Sequence, residues 1–331
     1  MKQEVRWLAR IRDVAREAGV SVGTVSMVLN HADYGSPAIR QKVESAVEKL
    51  QYVPSEMARN LSLKRTMTVG IIVPTVSHPF FAELVGDLEE ALYHLGYKTM
   101  LCCTRQKENA EHVFLEMLQR QNMDGIIMGA HSLDTAIYQG VKQPIIAFDR
   151  YLSPDIPIVH TNHVLGGEMA AQAFLQHDCH HIVEISGSQM VKTPAGEYHQ
   201  AFNKVMQAHG VRTDVVALPW NSFGFKESME LAERIFDEFP DVDGILGSDV
   251  SVSSCLQLAV RRGIKVPEQL KLVAYDGTYI TQNGILKLTA VRQPIAELAE
   301  IAAKKIVSLI NGSQDDSPWV LPPTVLKGET C

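Results

Sequence analysis

Aromatic side chains and one histidine follow the first strand that the body of the sequence predicts. His78, Phe80 and Phe81 come a few residues after the apolar run 69–74. An aromatic ring placed there can stack on the apolar face of a sugar ring, and a nearby polar group can bind its hydroxyls. These residues predict contact with a small polyhydroxylated ligand. The alternative for either phenylalanine is the core, and we expect one of the two to lie there.

Charged side chains follow later strands. Asp149 and Arg150 come directly after the fourth apolar run of the body. At the rim of a cleft, a carboxylate and a guanidinium can form paired hydrogen bonds with neighbouring hydroxyls, whereas an internal ion pair is the alternative. Lys192 and Thr193 lie in the loop after another predicted strand. Trp220 follows the predicted strand 215–218, where its ring can stack on a sugar or pack between lobes.

No catalytic constellation accompanies these residues. The sequence has no nucleophile-elbow motif, no phosphate-loop or Gly-x-Gly-x-x-Gly pattern, and no carboxylate pair with a neighbour that would tune an acid. The run His177-Asp178-Cys179-His180-His181 is too compact to surround one metal ion without a second segment. We therefore expect no enzyme activity, no metal ion and no cofactor.

Strands and helices alternate from residue 68 onward, which is the pattern of parallel sheets covered by helices on both faces. The predicted strands are 69–74, 99–103, 125–128, 144–148, 158–160, 182–186, 215–218, 244–246 and 272–274. The predicted helices are 81–95, 108–120, 167–176, 198–209, 226–238 and 251–262. Because a new series begins after Gly166, we expect two consecutive lobes, with ligands at the carboxyl ends of the strands.

The first sixty residues predict three short helices. Apolar positions in residues 11–20 share one helical face, and Gly19 supplies a left-handed turn. Ser21 caps a second helix over 22–29, whose first amide groups offer donors and a positive dipole end. A third amphipathic helix over 39–50 braces the pair. Two helices joined by a glycine turn predict a helix-turn-helix unit, whose second helix enters a DNA major groove; a generic three-helix bundle is the alternative.

Charge is unevenly distributed along the chain. Residues 1–66 contain 11 Lys and Arg against 7 Asp and Glu, a balance of +4, while the rest contain 20 against 31, a balance of −11; together these give the net charge of −7. A basic head favours an anionic partner at the N-terminus.

The sequence has no membrane-spanning apolar run, no apolar signal core and no Cys-x-x-Cys spacing. We therefore expect a cytoplasmic protein with reduced thiols and no membrane association.

Four motifs stand out in the head. They are Asp13-Val14-Ala15, Ala18-Gly19-Val20-Ser21, Thr24-Val25-Ser26 and Leu29-Asn30. Together they resemble the DNA-binding domain of the LacI/GalR family of bacterial regulators. The resemblance implies a DNA-binding surface made by the second helix and its ends, namely Ser21, Val22, Gly23, Thr24, Ser26, Met27 and Asn30. Met27 stands where the family often has Arg, so one usual base or phosphate contact is missing.

A short segment follows the head. Residues 52–61 predict a helix that begins near Pro54 and is too short to be stable alone in water. The segment resembles the hinge helix of the same family, which folds when it pairs with its dimer mate on the operator. The resemblance implies that Ala58 and Leu61 face the minor groove, with Leu61 wedged into a base step. An ordinary linker helix is the alternative.

Further motifs lie in the body of the chain. They include Pro79-Phe80-Phe81, Phe148-Asp149-Arg150, Ser248-Asp249, Tyr275-Asp276 and Gln293-Pro294. This part resembles the periplasmic-binding-protein-like sensor of the same family, in the sugar-responsive branch that holds sucrose-operon and ribose-operon repressors. The resemblance implies that Asp249 and Asp276, which each follow a strand, hold the effector. Tyr198 stands where many relatives have Arg, which argues against a phosphorylated or carboxylated effector bound in the usual way.

Three segments follow from these predictions. A helix-turn-helix domain is expected over 1–54, a hinge helix and linker over 55–66, and a sugar-binding and dimerisation domain over 67–331. Lobe one is expected at about 67–160 plus 292–318, and lobe two at about 161–291 plus the C-terminal segment. The expected fold is an N-terminal all-α head plus an α/β periplasmic-binding-protein-like sensor of two parallel-sheet lobes.

The resemblance implies a homodimeric transcriptional regulator that represses carbohydrate-utilisation genes. Its partners would be a near-palindromic double-stranded DNA operator, because the two-fold axis of the protein should match that of the DNA, and a small sugar effector between the lobes. A cytoplasmic sugar-binding protein or sugar enzyme without DNA binding is the alternative.

Overall fold

The computed structural model describes residues 9–30, 34–54, 60, 65–105, 110–130, 134–188, 193–220 and 222–331. The chain divides into two compact units, Met1–Thr66 and Met67–Cys331, which we call the head and the sensor. Within the described ranges, no helix is both long enough and apolar enough to cross a membrane.

The head is a cluster of short helices, as its sequence predicts. Helix α1 (Ile11–Ala18) ends at Gly19, whose left-handed backbone (φ 68°) donates hydrogen bonds to carbonyl groups of α1. The hydroxyl of Ser21 then accepts a hydrogen bond from the Thr24 amide at 3.0 Å and caps α2 (Val22–Asn30). Helix α3 (Pro37–Leu50) packs beside both. The buried apolar side chains that join the three helices are Val14, Ala15, Ala18, Val25, Val43 and Ala46.

Lobe one of the sensor is built on a sheet in the order β11-β5-β4-β3-β1-β2, in which every pairing is parallel. Its strands are β1 (Thr68–Val73), β2 (Lys98–Cys103), β3 (Gly125–Met128), β4 (Ile145–Phe148), β5 (Ile158–Thr161) and β11 (Val320–Leu321). Its helices are α4 (Pro79–His94), α5 (Ala110–Gln119) and α10 (Ile295–Asn311). Ile71 and Ile72 point to opposite faces and join different apolar clusters, so both faces of this sheet are covered.

Lobe two repeats the architecture with the order β12-β10-β9-β8-β6-β7, parallel except for the β10–β12 pair. Its strands are β6 (His181–Ser186), β7 (Arg212–Ala217), β8 (Gly244–Ser248), β9 (Lys271–Asp276), β10 (Thr289–Arg292) and β12 (Thr324–Leu326). Its helices are α6 (His163–Leu175), α7 (Gly196–Ala208), α8 (Phe225–Glu238) and α9 (Asp249–Arg261). The predicted fold class, a helical head before a two-lobed α/β sensor, is confirmed.

The chain passes between the two sheets three times: between β5 and α6, between β10 and α10, and between β11 and β12. Thr161 pairs with Leu321 in sheet one. Lobe one therefore includes these two residues, which lie just beyond the predicted limits of 160 and 318. Short crossings of this kind are where domain closure is accommodated.

The close contact between α6 and α7 depends on Gly167. A Cβ atom on this residue would overlap the carbonyl oxygen of Tyr198 and lie 3.0 Å from the amide nitrogen of Phe202. We expect Gly167→Ala to lower the free energy of unfolding of the sensor by about 3 kcal/mol, because the two helices must separate. Urea unfolding measures this loss.

Gly86 in α4 provides the matched control, because a Cβ atom there meets no atom within 4 Å. Gly86→Ala should leave the sensor as stable or up to about 1 kcal/mol more stable, since alanine favours a helix. Equal unfolding midpoints for the two variants would contradict the packing argument.

Candidate functional site

Three carboxylates from two lobes converge at the carboxyl ends of the strands. Asp149 follows β4 in lobe one, while Asp249 follows β8 and Asp276 ends β9 in lobe two. Burial raises the pKa of Asp276 well above its usual value, and the negative charges of Asp249, Asp149 and Glu83 raise it further, against a hydrogen bond from Gln293 that lowers it. The cleft between the lobes therefore has an acidic floor, which can accept hydrogen bonds from sugar hydroxyls and disfavours an anionic ligand.

Asp276 is held in place by the crossings between the lobes. Its Oδ1 accepts a hydrogen bond from Gln293 Nε2 at 2.8 Å. Gln293 Oε1 in turn accepts one from the Thr161 hydroxyl at 2.7 Å. The backbone of Asp276 has a positive φ of 128°, which is rare for any residue but glycine. Such strain at a strand end is typical of functional positions, so this carboxylate is both precisely oriented and coupled to the hinge.

Asp249 is a buried anchor. Its carboxylate accepts hydrogen bonds from the amide of Gly277 at 3.1 Å and from the amide and hydroxyl of Thr278 at 2.6 Å each. Burial raises its pKa, although the hydrogen bonds from Thr278 and Gly277 oppose this shift. Asp249 therefore fixes the loop that follows Asp276, which gives it a positioning role at the site.

An aromatic wall closes the cleft on the side of α4. Phe80 and Phe81 are both buried in the core of lobe one, so the expectation that only one of them is a core residue is wrong. Phe81 also meets Phe223 of lobe two in an edge-to-face contact, with ring centroids 5.7 Å apart. His78 packs against these two rings, and burial lowers its pKa to about 4. The sequence did not predict Phe223, because its role depends on how the two lobes meet.

Arg150 lies away from the cleft. It is fully buried in lobe one, where its guanidinium donates to Glu111 Oε1 at 2.9 Å and lies 6.0 Å from the ring centroid of Tyr138. Its predicted place at the cleft rim is therefore corrected to an internal ion pair. The physical reason is that Asp149 faces the opposite way, with a left-handed backbone (φ 50°) at the end of β4.

The remaining predicted effector residues lie on lobe two. Tyr198 is buried on α7, and its ring stacks on that of Tyr275 with centroids 4.0 Å apart; burial raises its pKa well above the usual value, so it stays neutral. Thr193 is half-buried just before α7, and Trp220 is exposed after β7. Lys192 lies outside the described residues.

Polar contacts join the lobes around the cleft. Glu83 accepts from the Tyr279 amide at 2.7 Å, Arg105 donates to Glu227 at 3.3 Å, and the Tyr151 hydroxyl donates to Glu197 at 3.0 Å. Each pair takes one residue from each lobe. Polar contacts therefore link the two lobes beside the carboxylates of the cleft.

A cluster that the sequence did not predict lies beside the acidic floor. Asp149, His160 and His163 each place one potential metal-ligand atom within 4.8 Å of those of the other two. His163 is the first residue of α6 and is buried, so the cluster sits at the crossing from β5 into lobe two. The neighbouring strands β4 and β5 bring Asp149 and His160 together, which only the sheet order reveals.

In the head, α2 leaves a partly exposed face of polar and apolar residues. Val22 and Met27 are 41% and 40% exposed, and Ser21, Gly23 and Asn30 are also exposed. Thr24 and Ser26 are half-buried, and the Ser26 hydroxyl accepts from the Asn30 side chain at 3.3 Å. Every residue predicted to face DNA within this helix therefore lies outside the buried core of the head. Ala58 and Leu61 of the predicted hinge lie outside the described residues.

Comparison with known proteins agrees with both units. Residues 10–55 match the family of bacterial regulatory proteins of the lacI type, and residues 171–331 match a periplasmic binding protein-like domain. The sucrose operon repressor of Streptococcus mutans is 35% identical over 98% of this chain and 99% of its own length. The ribose operon repressor of Halalkalibacterium halodurans is 32% identical over 96% of each chain.

Solved structures share the fold. The lac repressor dimer bound to operator and the anti-inducer ONPF is similar, with a TM-score of 0.86 and 19% identity over 98% of this chain and 99% of that one. A complex of the regulator CelR with cellobiose has a TM-score of 0.71 and 25% identity over 98% of this chain and all of that one. The sequence similarity spans head and sensor together, and the chain belongs to the lacI family of bacterial regulatory proteins.

Proposed function

We propose that this chain is a sequence-specific DNA-binding repressor of carbohydrate-utilisation genes, controlled by a small sugar held between the lobes of its sensor. The observation that carries the proposal is the pairing of two units in one chain. The head has a capped, polar-faced second helix behind a glycine turn, and the sensor has a cleft whose floor gathers Asp149, Asp249 and Asp276.

The acidic floor defines the class of effector. Carboxylates accept hydrogen bonds from neighbouring hydroxyls, and aromatic rings cover apolar ring faces. Neutral mono- or disaccharides suit both features, whereas a phosphorylated sugar would add negative charge where Asp249, Asp149 and Glu83 already raise the pKa of Asp276. The related repressors act on sucrose and ribose operons, and CelR is seen with cellobiose, so we select sucrose, ribose and cellobiose as the first test panel.

The proposed mechanism links the cleft to the head through lobe closure. A sugar that contacts both lobes favours one lobe arrangement, and a difference of about 1–3 kcal/mol between arrangements suffices for an effector. In the proposed homodimer, this change alters the spacing of the two heads and the pairing of residues 55–66 on the operator. The two-fold axis of such a dimer requires a near-palindromic operator, and this target places the protein in the cytoplasm.

The rival proposal is a sugar-binding protein or sugar enzyme that does not bind DNA. The similar proteins are transcriptional repressors, and the carboxylates of the cleft serve as hydrogen-bond acceptors and loop anchors. Both features favour a regulator without catalytic activity.

Operator binding is tested by selecting DNA from a random duplex library with the full chain and then titrating the selected duplex against salt. We expect a near-palindromic selected sequence, and a logarithm of affinity that falls linearly with the logarithm of salt concentration, because phosphate contacts release counterions. No selected sequence together with a flat salt response would reject the proposal.

A further inference from the structure

The cluster at the first crossing between the lobes has the chemistry of a metal site. Asp149 and His160 follow the Phe148–Val159 register pair of the neighbouring parallel strands β4 and β5, so their side chains emerge next to each other. His163 follows three residues later, at the start of α6. One potential ligand atom from each residue lies within 4.8 Å of the other two.

The hydrogen bond of His160 leaves one of its ring nitrogens available to bind a metal ion. Its Nδ1 lies 2.7 Å from the carbonyl oxygen of Thr161. Because a carbonyl oxygen only accepts, Nδ1 carries the proton, and Nε2 of the neutral ring carries the lone pair. A histidine that ligates a metal typically donates its other N–H to a carbonyl or carboxylate in this way.

His163 is fixed by contacts on both sides of its ring. Its Nδ1 lies 2.8 Å from the Tyr275 hydroxyl, and its Nε2 lies 2.9 Å from Asp149 Oδ1. The rings of His160 and His163 are parallel within 8°, with centroids 6.1 Å apart. A proton on Nε2 now lies between His163 and the carboxylate. A divalent cation can take the place of this proton if the single proton of the neutral ring moves from Nε2 to Nδ1, which then donates to the oxygen of Tyr275; no proton is released in this exchange.

We propose that Asp149, His160 and His163 bind one divalent transition-metal ion of the Zn²⁺ type. Two imidazole nitrogens and one carboxylate oxygen suit Zn²⁺ or Co²⁺, whereas Mg²⁺ and Ca²⁺ prefer oxygen ligands alone. Tetrahedral ligands at about 2.0 Å from an ion lie roughly 3.3 Å from one another. The 2.9 Å between His163 Nε2 and Asp149 Oδ1 already approaches this value, and the potential ligand atom of His160 lies within 4.8 Å of those of the other two residues.

The position of the site gives the ion a consequence for the sensor. Asp149 and His160 belong to lobe one, whereas His163 opens α6 of lobe two and contacts Tyr275 on β9. A bound ion would therefore be coordinated by residues of both lobes, where the chain crosses from β5 into α6, and would add positive charge beside the acidic floor. Three protein ligands leave the fourth position of a tetrahedral ion to water or to an oxygen of a ligand in the cleft.

The test measures Zn²⁺ binding to the untagged full chain by competition with a chromophoric chelator. We expect the wild-type chain to bind one Zn²⁺ ion per chain with high affinity. His160→Ala and Asp149→Asn should each weaken binding at least roughly tenfold, since even residues that only orient metal ligands contribute about this much. Tyr275→Phe removes the hydroxyl that orients His163 and should weaken binding about tenfold.

His180→Ala is the matched control. This exposed histidine lies beside Asp243 in the His177–His181 run, away from β4 and β5, and its removal should leave Zn²⁺ affinity unchanged. The absorption spectrum of bound Co²⁺ should show four-coordinate ligand-field bands without thiolate charge transfer. Thermal melts establish that each variant folds, and Asp149→Asn tests the site if His160→Ala does not.

Three results would overturn the proposal. The first is that the wild-type chain binds no stoichiometric Zn²⁺ ion. The second is that His160→Ala or Asp149→Asn leaves the affinity for Zn²⁺ unchanged. The third is that the His180→Ala chain no longer binds the Zn²⁺ ion. Thiolate bands with Co²⁺ would likewise assign the ion to cysteines. None of these measurements uses DNA or sugar, so their outcome is independent of the proposed repressor function.

Discussion

Asp276→Asn is expected to abolish the thermal stabilisation that a bound sugar gives to the sensor. Removing one partner of a buried hydrogen bond costs about 1–3 kcal/mol, so the variant, in which an amide replaces the carboxyl group, should bind the sugar roughly five- to a hundredfold more weakly. The fold should survive, because the amide oxygen of Asn still accepts from Gln293 Nε2, the contact that now holds Asp276 Oδ1. Melting curves with and without each sugar of the panel measure the effect.

Asp155→Asn is the control for this prediction. Asp155 is exposed on a loop of lobe one, and the same substitution there should leave the sugar-induced shift intact. Operator affinity without sugar should remain near that of the wild type in both variants. A sugar that stabilises the Asp276→Asn chain as strongly as the wild-type chain would remove Asp276 from the site.

Ser26→Glu is expected to weaken operator binding by roughly a hundredfold. Ser26 lies on the polar face of α2, half-buried beside Asn30. A carboxylate on a face that meets a DNA groove is repelled by the phosphates, and like charges at an interface cost several kcal/mol, or about tenfold in affinity per 1.4 kcal/mol. Fluorescence anisotropy of a labelled operator duplex measures the loss at fixed salt concentration.

Ser45→Glu makes the same change in net charge on the exposed side of α3. Its operator affinity should fall by less than about threefold, because a screened surface charge acts weakly beyond a Debye length. Equal losses in the two variants would mean that net charge, and not the face of α2, determines binding. Unchanged binding in the Ser26→Glu chain would contradict the proposed DNA-binding face.

Much of the sensor fold was predictable because its strands are buried on both faces. Val69 to Val73 form a short apolar run that is typical of a strand covered on both faces. The C-terminal elements were harder to predict. Strands β10, β11 and β12 have only four, two and three residues, and β11 joins the sheet of lobe one while β10 and β12 pair in lobe two, so local pattern alone does not define them.

The site was predictable only in part. Asp149 and Asp276 follow strands, and the topology of parallel sheets brings such residues to one edge. Arg150 was misplaced because its buried partner Glu111 lies 39 residues away in the chain, a contact that local pattern does not reveal. Phe223 and the cluster around His163 depend on which strands and lobes become neighbours, and that information is spread over distant parts of the chain.

In the proposed mechanism, a ligand in the cleft controls how strongly the head binds DNA. The most direct test measures the operator affinity of the wild-type and Asp276→Asn chains, with and without the sugar that stabilises the wild-type sensor. We predict a change of about 5- to 150-fold in the wild type and none in the variant at the same sugar concentration. A sugar that saturates the wild-type sensor and leaves its operator affinity unchanged would contradict control of DNA binding by the cleft.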